Sequence, residues 1–380
     1  MKKKDKSRTQ IEGWKTEMAP IQWNEPCVHT EPSLHQLSPY IGKTKSTIAT
    51  DLVRRYSKKG DLVIDPFAGA GTILYESAIA GRQSFGADVS PYAAILSKAK
   101  LAPPKTLEKA IENAENALVT ASHLPRPDLR RVPKWVRHFF HPETLREALR
   151  FSEVCRYPGN EFLLACFLGI LHHQRPGFLS YPSSHLVPYL RDKKFPRSEY
   201  PDMYTYRELR PRLLAKVQRA YKRFRLPPST ADAGFHCTSV QNLRLPEQFD
   251  ALITSPPYMN ALDYGRDNRL RLWFIEPTFS ENVDNDATQN RQGFIDAITS
   301  LVLKVERRLK IKGYCVFIVG EAHKRKFDAH PSEEVLRIVN DCASTLKLKK
   351  ILTDKIPDVR RTRRECSGVK VENVLVFQRQ

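Results

Sequence analysis

The chain has 380 residues, 41% of them hydrophobic, enough for one large domain or for one domain plus a module. Lysine and arginine outnumber aspartate and glutamate by 62 to 42, a formal charge of +20, so a polyanion is the expected partner. Seven scattered cysteines (27, 155, 166, 237, 315, 342 and 366) form no C-x-x-C and no Cys/His zinc spacing, Met1-Lys2-Lys3-Lys4-Asp5-Lys6 has no apolar stretch behind it, and no 18-residue apolar run exists; these features exclude a metal site, a signal peptide and a membrane span, and fit reduced thiols in a cytoplasmic protein.

Residues 1 to about 30 read as a polar, poorly ordered arm, docked on the body by Trp14 and Trp23. Over 46–57, Ile48, Leu52, Val53 and Tyr56 share one face and predict an amphipathic helix. After the turn Lys59-Gly60-Asp61, the run Leu62-Val63-Ile64 predicts a buried strand ending at Asp65. A Gly-rich loop follows, then a helix from Thr72 to Ala80 stopped by Gly81. Ser84 to Ala87 is a second strand ending at Asp88, and Tyr92 to Ala99 a helix. This βαβα pattern predicts an α/β fold with a parallel sheet. Residues 105–122 read as helix. From His123 to Thr230 the composition shifts to 21 Lys and Arg against 9 Asp and Glu, a net +12. Within it, Glu161–Gln174 reads as an apolar helix, 180–206 as extended loop, and 207–225 as a basic helix. The sheet resumes near Phe235, with a strand at 249–254, a helix at 294–309, a turn at Lys312-Gly313 into a strand at 314–320, a helix at 332–346 and a last strand at 373–377.

Two strand ends carry the chemistry. The first is Asp65-Pro66-Phe67-Ala68-Gly69-Ala70-Gly71-Thr72. Glycine admits positive φ and close ligand approach, and a helix N-terminus adds partial positive charge. The third glycine of a dinucleotide fingerprint and the lysine of a P-loop are both missing. Asp65 would repel a phosphate and suits a cation such as the ammonium of a methionine moiety. Asp88, ending the next strand, sits where a carboxylate binds ribose hydroxyls. These points favour S-adenosylmethionine over NAD or ATP, against the plain alternative of a tight turn.

The second strand end is Thr254-Ser255-Pro256-Pro257-Tyr258. An exocyclic base amine is a poor nucleophile because its lone pair is delocalised into the ring. Two hydrogen-bond acceptors can draw the nitrogen toward tetrahedral geometry. Ser255 Oγ and the Pro256 carbonyl can serve as those acceptors. Pro256 and Pro257 make the turn rigid, and Tyr258 can stack on the base. A structural Pro-Pro turn is the alternative.

At these residues the chain resembles the S-adenosylmethionine-dependent DNA amino-methyltransferases, which modify N4 of cytosine or N6 of adenine. Ser38-Pro39-Tyr40-Ile41-Gly42-Lys43 resembles the family's segment beside the methionine moiety, and Gly86-Ala87-Asp88-Val89-Ser90-Pro91 its ribose-binding strand end. The likeness covers roughly 35–100 and 235–320. It implies a class I methyltransferase-like (Rossmann-like) fold, with a mostly parallel seven-stranded sheet, helices on both faces, and a largely helical basic insert. The corresponding division is an N-terminal arm (1–34), a cofactor-binding half (35–122), the insert as DNA target-recognition region (123–230) and a catalytic half (231–380). The cofactor residues are Tyr40, Lys43, Asp65, Pro66, Phe67, Gly69, Gly71, Thr72, Asp88, Thr238 and Ser239. The catalytic residues are Ser255, Pro256, Pro257 and Tyr258. A serine at 255 leans toward N4-cytosine. One departure stands out: the family places an acid after the third strand, near the cofactor adenine, where this chain has Cys237-Thr238-Ser239.

Double-stranded DNA is the implied substrate, with its target base flipped out and a restriction endonuclease encoded nearby as a partner. Arg191, Lys193, Lys194, Arg197, Arg207, Arg210, Arg360 and Arg361 are the candidate DNA contacts, to phosphate before base edges. Asp263-Tyr264 and Arg266-Asp267-Asn268-Arg269 are candidates for lining the base pocket or for a helix cap and surface charge. Rival readings are an adenine-N6 enzyme, an RNA guanine-N2 methyltransferase with similar motifs, and a non-catalytic nucleic-acid binder. A cytosine-C5 enzyme would use a Pro-Cys and a downstream Glu-Asn-Val, but Pro26-Cys27 and Glu372-Asn373-Val374 stand in the wrong order and spacing.

Overall fold

The computed structural model describes residues 14–25, 27, 29–172, 177–180, 196, 198–228, 232–257, 264–280, 290–320, 331–356 and 371–380. Its strands are β1 (Glu17–Met18), β2 (Leu62–Asp65), β3 (Gln83–Asp88), β4 (Asp232–Cys237), β5 (Phe249–Thr254), β6 (Leu309–Gly320), β7 (Leu346–Lys355) and β8 (Val371–Arg379). They form one sheet in the order β1-β7-β8-β6-β5-β2-β3-β4. Neighbours pair in parallel except β6 with β8 and β7 with β8. The mostly parallel, class I methyltransferase-like sheet of seven strands is therefore present, and the two-residue β1 adds an edge from the N-terminal arm. Trp23 anchors that arm: it is fully buried and its indole N–H donates to Asp51 Oδ2 at 2.9 Å. Trp14 remains 39% exposed and anchors little.

Alternation along each strand sends side chains to opposite faces. Ile64, Leu252, Cys315, Phe317, Leu375 and Phe377 face one core. It is covered by the helices at Arg291–Arg308 and Pro331–Cys342, whose Phe294, Ile298, Leu301, Val335 and Val339 pack there. Val63, Ala251, Ile253, Val316, Val374 and Val376 face the other, against Ile48, Leu52 and Val53 of α1 (Ser46–Tyr56). Next come α2 (Thr72–Ile79), α3 (Pro91–Leu101) and α4 (Leu107–His123).

The basic insert contributes α5 (Lys134–Arg137), α6 (Pro142–Cys155), α7 (Glu161–Ile170) and α8 (Leu209–Ala220). Phe151, Leu163, Phe167 and Leu213 share one core with Tyr92 and Leu96 of α3 and with Ala110, Ala114 and Ala117 of α4. The same core takes Leu270, Trp273 and Phe274 from α10 (Arg269–Ile275), which follows α9 (Tyr264–Asp267) and precedes α11 (Arg291–Arg308) and α12 (Pro331–Cys342). The described part of the insert is thus a helical layer fused to the cofactor half.

Three elements differ from the sequence reading. The expected turn at Lys312-Gly313 is a kink inside one long β6. Lys312 takes φ 64°, and the register with β5 shifts between Phe249 and Ala251. A bulge lets a strand continue past turn-forming residues. The helix expected to run to 346 ends at Cys342, and Leu346 opens β7, whose exposed lysines mask its alternation. Helix α6 was also unread; Pro142 at its first turn and the His141 ring nitrogen accepting from Glu143 N start it.

Candidate active site

Asp65, Asp88, Thr238 and Ser255 stand at or just past the carboxyl ends of β2, β3, β4 and β5. Strand order reverses between β2 and β5, and open α/β sheets bind ligands at such a switch point. A cleft open to solvent lies there. Its walls bring together ten of the eleven expected cofactor residues, namely Tyr40, Lys43, Asp65, Pro66, Phe67, Gly69, Thr72, Asp88, Thr238 and Ser239, together with Ser255 and Pro257. Gly71 supports the loop from behind, and Pro256 is buried in the turn. Tyr258 lies outside the described residues.

One hydrogen bond joins the two motifs. Thr254 Oγ1 donates to Asp65 Oδ1 at 2.6 Å across the switch point, fully buried. Phe67 N donates to the same oxygen at 3.3 Å. Burial pushes the Asp65 carboxyl up to about 7, against these two donors, and nearby Asp88 adds to the rise. The Asp88 oxygens accept from Gly69 N at 2.8 Å and Ser90 N at 2.9 Å, which locks the glycine loop onto β3.

The loop is shaped by contacts that only glycine permits. Gly71 has φ 69°, and a Cβ there would sit 2.5 Å from Ser97 Oγ and 2.9 Å from Ser97 Cα. Gly69 has φ 49°, and its missing Cβ leaves room for the Tyr40 ring, 3.2 Å from where it would lie. Beneath them the buried Lys100 ammonium donates to the Ala70 carbonyl. Burial lowers the Lys100 pKa to about 7, with Lys43 adding to the fall. Tyr92 donates to the Pro39 carbonyl at 2.7 Å and fixes the segment carrying Tyr40. Lys43 lines the cleft while its ammonium donates to the His35 carbonyl at 2.7 Å.

Sequence reading missed Thr254 as a site residue. It also missed Lys100, as well as Val240 and Gln241 on the cleft wall. A threonine ending a buried strand beside a strand-end aspartate was the available signal for Thr254; Lys100 gave none, since its role depends on a loop 30 residues away. Of the candidate DNA contacts, Arg207 donates to the Phe178 carbonyl at 3.2 Å and Arg210 pairs with Glu115 at 2.7 Å. Arg269 lies over the Trp135 ring at 4.7 Å. Arg191, Lys193, Lys194, Arg197, Arg360, Arg361 and Asp263 lie outside the described residues.

The cleft fits S-adenosylmethionine on its own chemistry. Thr72 Oγ1 is a buried hydroxyl without a hydrogen-bond partner at the cleft wall, so a polar ligand atom is wanted there. Asp65 offers a carboxylate to a cation, Asp88 offers acceptors to hydroxyls, and Val89 and Val240 offer apolar walls to a flat ring. Fold and cleft together are those of the class I methyltransferase-like fold, with S-adenosylmethionine as the cofactor that the cleft fits.

Comparison with known proteins narrows the class. A family model described as DNA methylase matches residues 2–98. The chain is 35% identical over 68 residues to the Type II methyltransferase M.MjaII of Methanocaldococcus jannaschii, covering 18% of this chain and 13% of that one. It is 25% identical over 252 residues to the Type II methyltransferase M.MvaI of Kocuria varians, covering 56% of this chain and 50% of that one. The chain thus spans at most half the length of these relatives. Among solved structures, TrmN from Thermus thermophilus aligns at 10% identity and TM-score 0.36, covering 91% of this chain and 52% of that one. Magnesium protoporphyrin IX methyltransferase from Synechocystis aligns at 8% identity and TM-score 0.34, covering 88% and 80%. The sequence matches are thus to DNA methyltransferases, over part of this chain.

Proposed function

We propose that this protein methylates an exocyclic amine of a DNA base at a specific site, N4 of cytosine, after flipping the base out of the duplex. The observation that carries the reading is the buried Thr254–Asp65 hydrogen bond, which fuses the cofactor loop and the Ser-Pro-Pro turn into one cleft floor. Asp65 holds the cofactor's ammonium, Asp88 its ribose, and Ser239 to Gln241 border its base. When bound, S-adenosylmethionine supplies an electrophilic methyl on a sulfonium centre. Ser255 Oγ and the Pro256 carbonyl accept the two N–H bonds of the amine and free its lone pair. No strong base is needed, because the methylated nitrogen is cationic and loses its proton to water. The identity of residue 255 supports cytosine over adenine. The basic insert and the arginines of 360–364 supply the grip on DNA, and a neighbouring restriction endonuclease would use the mark.

The test uses purified protein, labelled S-adenosylmethionine, and duplex DNA or RNA. Products are digested to nucleosides and identified by mass spectrometry. N4-methylcytosine from DNA is expected. N6-methyladenine would transfer the reading to the adenine branch. Label confined to RNA would overturn it in favour of a guanine-N2 enzyme, and cofactor binding without transfer would leave a nucleic-acid binder.

A further inference from the structure

The family's acid near the cofactor adenine is missing here, so the turn after β4 must meet the purine differently. That turn is held from behind by an unusual contact. Lys304, on α11, donates from its ammonium to three carbonyls at once: Val240 at 2.6 Å, Gln241 at 2.7 Å and Leu243 at 2.9 Å. Residues 239–243 make a single helical turn, in which Asn242 N and Leu243 N donate to the Ser239 carbonyl at 3.1 and 2.9 Å. A cation at the carbonyl end of such a turn satisfies groups that otherwise lack partners.

The peptide plane makes this contact consequential for the cleft. In a trans peptide the C=O and N–H point in opposite directions. With the Val240 carbonyl fixed on Lys304, the Gln241 N–H points away from α11. Gln241 and Val240 both line the cleft. Among the described residues the Gln241 N–H has no acceptor. The ammonium on the same peptide also polarises that N–H and strengthens it as a donor.

We propose that Lys304 is a positioning residue for cofactor recognition: it orients the peptide between Val240 and Gln241 so that the Gln241 N–H meets a ring nitrogen of the purine. The purine is then met by a neutral main-chain donor backed by a lysine. The proposal rests on the cleft being the S-adenosylmethionine site. Arg308, one turn further along α11, supplies an internal control. It donates to the Leu245 and Pro246 carbonyls at 2.7 and 3.2 Å, and neither residue lines the cleft.

The experiment is calorimetric titration of the whole protein with S-adenosylhomocysteine and with 5′-methylthioadenosine, which keeps the adenosine but lacks the amino acid. Lys304→Met is expected to weaken both ligands by the same factor, about tenfold, as for one lost charge-backed hydrogen bond. Lys304→Arg recovers most of the loss. Arg308→Met lowers the melting temperature as much as Lys304→Met and leaves both affinities unchanged. Gln241→Pro deletes the donor with Lys304 intact, and is expected to reproduce the loss; it reads the same point should Lys304→Met fail to fold. Affinities within twofold of wild type in Lys304→Met and Gln241→Pro would overturn the proposal. So would a loss for S-adenosylhomocysteine that spares methylthioadenosine. Failure of the unaltered protein to bind either ligand would instead overturn the cofactor site itself.

Discussion

On the proposed reading, both binding and stability turn on Asp65. Buried and raised to about 7, it sits well above the ordinary carboxyl value of 3.8 that an unfolded chain approaches. The folded protein without ligand therefore holds a proton that the unfolded chain releases. The stability this contributes is complete below pH about 4 and is lost as pH rises through about 7. Asp65→Asn keeps the site neutral, so it is expected to raise the melting temperature of the ligand-free protein at pH 8, by several degrees in a thermal scan. The same change should weaken S-adenosylhomocysteine at least about tenfold, because the ammonium loses its counter-charge. In the unaltered protein, affinity for that ligand should rise as pH passes upward through 7 and Asp65 ionises. Thr254→Val removes the 2.6 Å donor and should move that midpoint higher, which calorimetry between pH 5.5 and 8.5 reads directly. Ser255→Ala tests a different function. It is expected to lower kcat by about 10²-fold with cofactor affinity unchanged, in line with losing one preorganised polar contact to the reacting group. Unchanged kcat would remove Ser255 from the chemistry.

Among the elements, the loop between β2 and α2 depends on a missing side chain more than on any present one. Gly71→Ala would put a methyl 2.9 Å from the Ser97 Cα, a backbone atom of α3 that cannot step aside alone. The positive φ adds about 1–3 kcal/mol of strain for a residue with a Cβ. The expected outcome is a lower urea midpoint and loss of S-adenosylhomocysteine binding, measured by chemical denaturation and calorimetry. A glycine at such a loop is readable from sequence because the strand–Gly-x-Gly–helix order calls for it. Helix α6 and strand β7 were not readable. The first begins at Pro142 amid a basic, proline-rich stretch. The second alternates lysine with apolar residues and shows as strand only when β8 pairs with it through Leu346 to Lys355.

Taken as a whole, the insert and the cofactor half stand or fall together. Phe167 of α7 and Phe274 of α10 meet ring to ring at 5.4 Å, in the core that also buries Tyr92 and Leu96 of α3. Joining residue 122 directly to 231 would expose that face of α3 and α4. Such a deletion is expected to give a protein without a cooperative thermal transition by circular dichroism; a cleanly folding product would show the insert to be an independent lobe. The net charge of +20 acts at the same scale. DNA affinity should fall steeply between 50 and 200 mM salt, about 10³-fold or more if some six phosphates are contacted, which fluorescence anisotropy measures.

The sequence alone determined the parallel α/β plan, the cofactor and the place of Asp65 and Ser255 at two strand ends. Strand-end motifs are local: the residues that bind are those whose backbone forms the turn. What only the tertiary structure decided is how distant segments complete the site. Thr254 reaches Asp65 across 189 residues of chain, Lys304 holds a turn more than 60 residues before it, and Lys100 closes on Ala70 from α3. Such pairings depend on which strands become neighbours and how helices lie on them, and no periodicity or spacing in the chain encodes a contact between side chains so far apart.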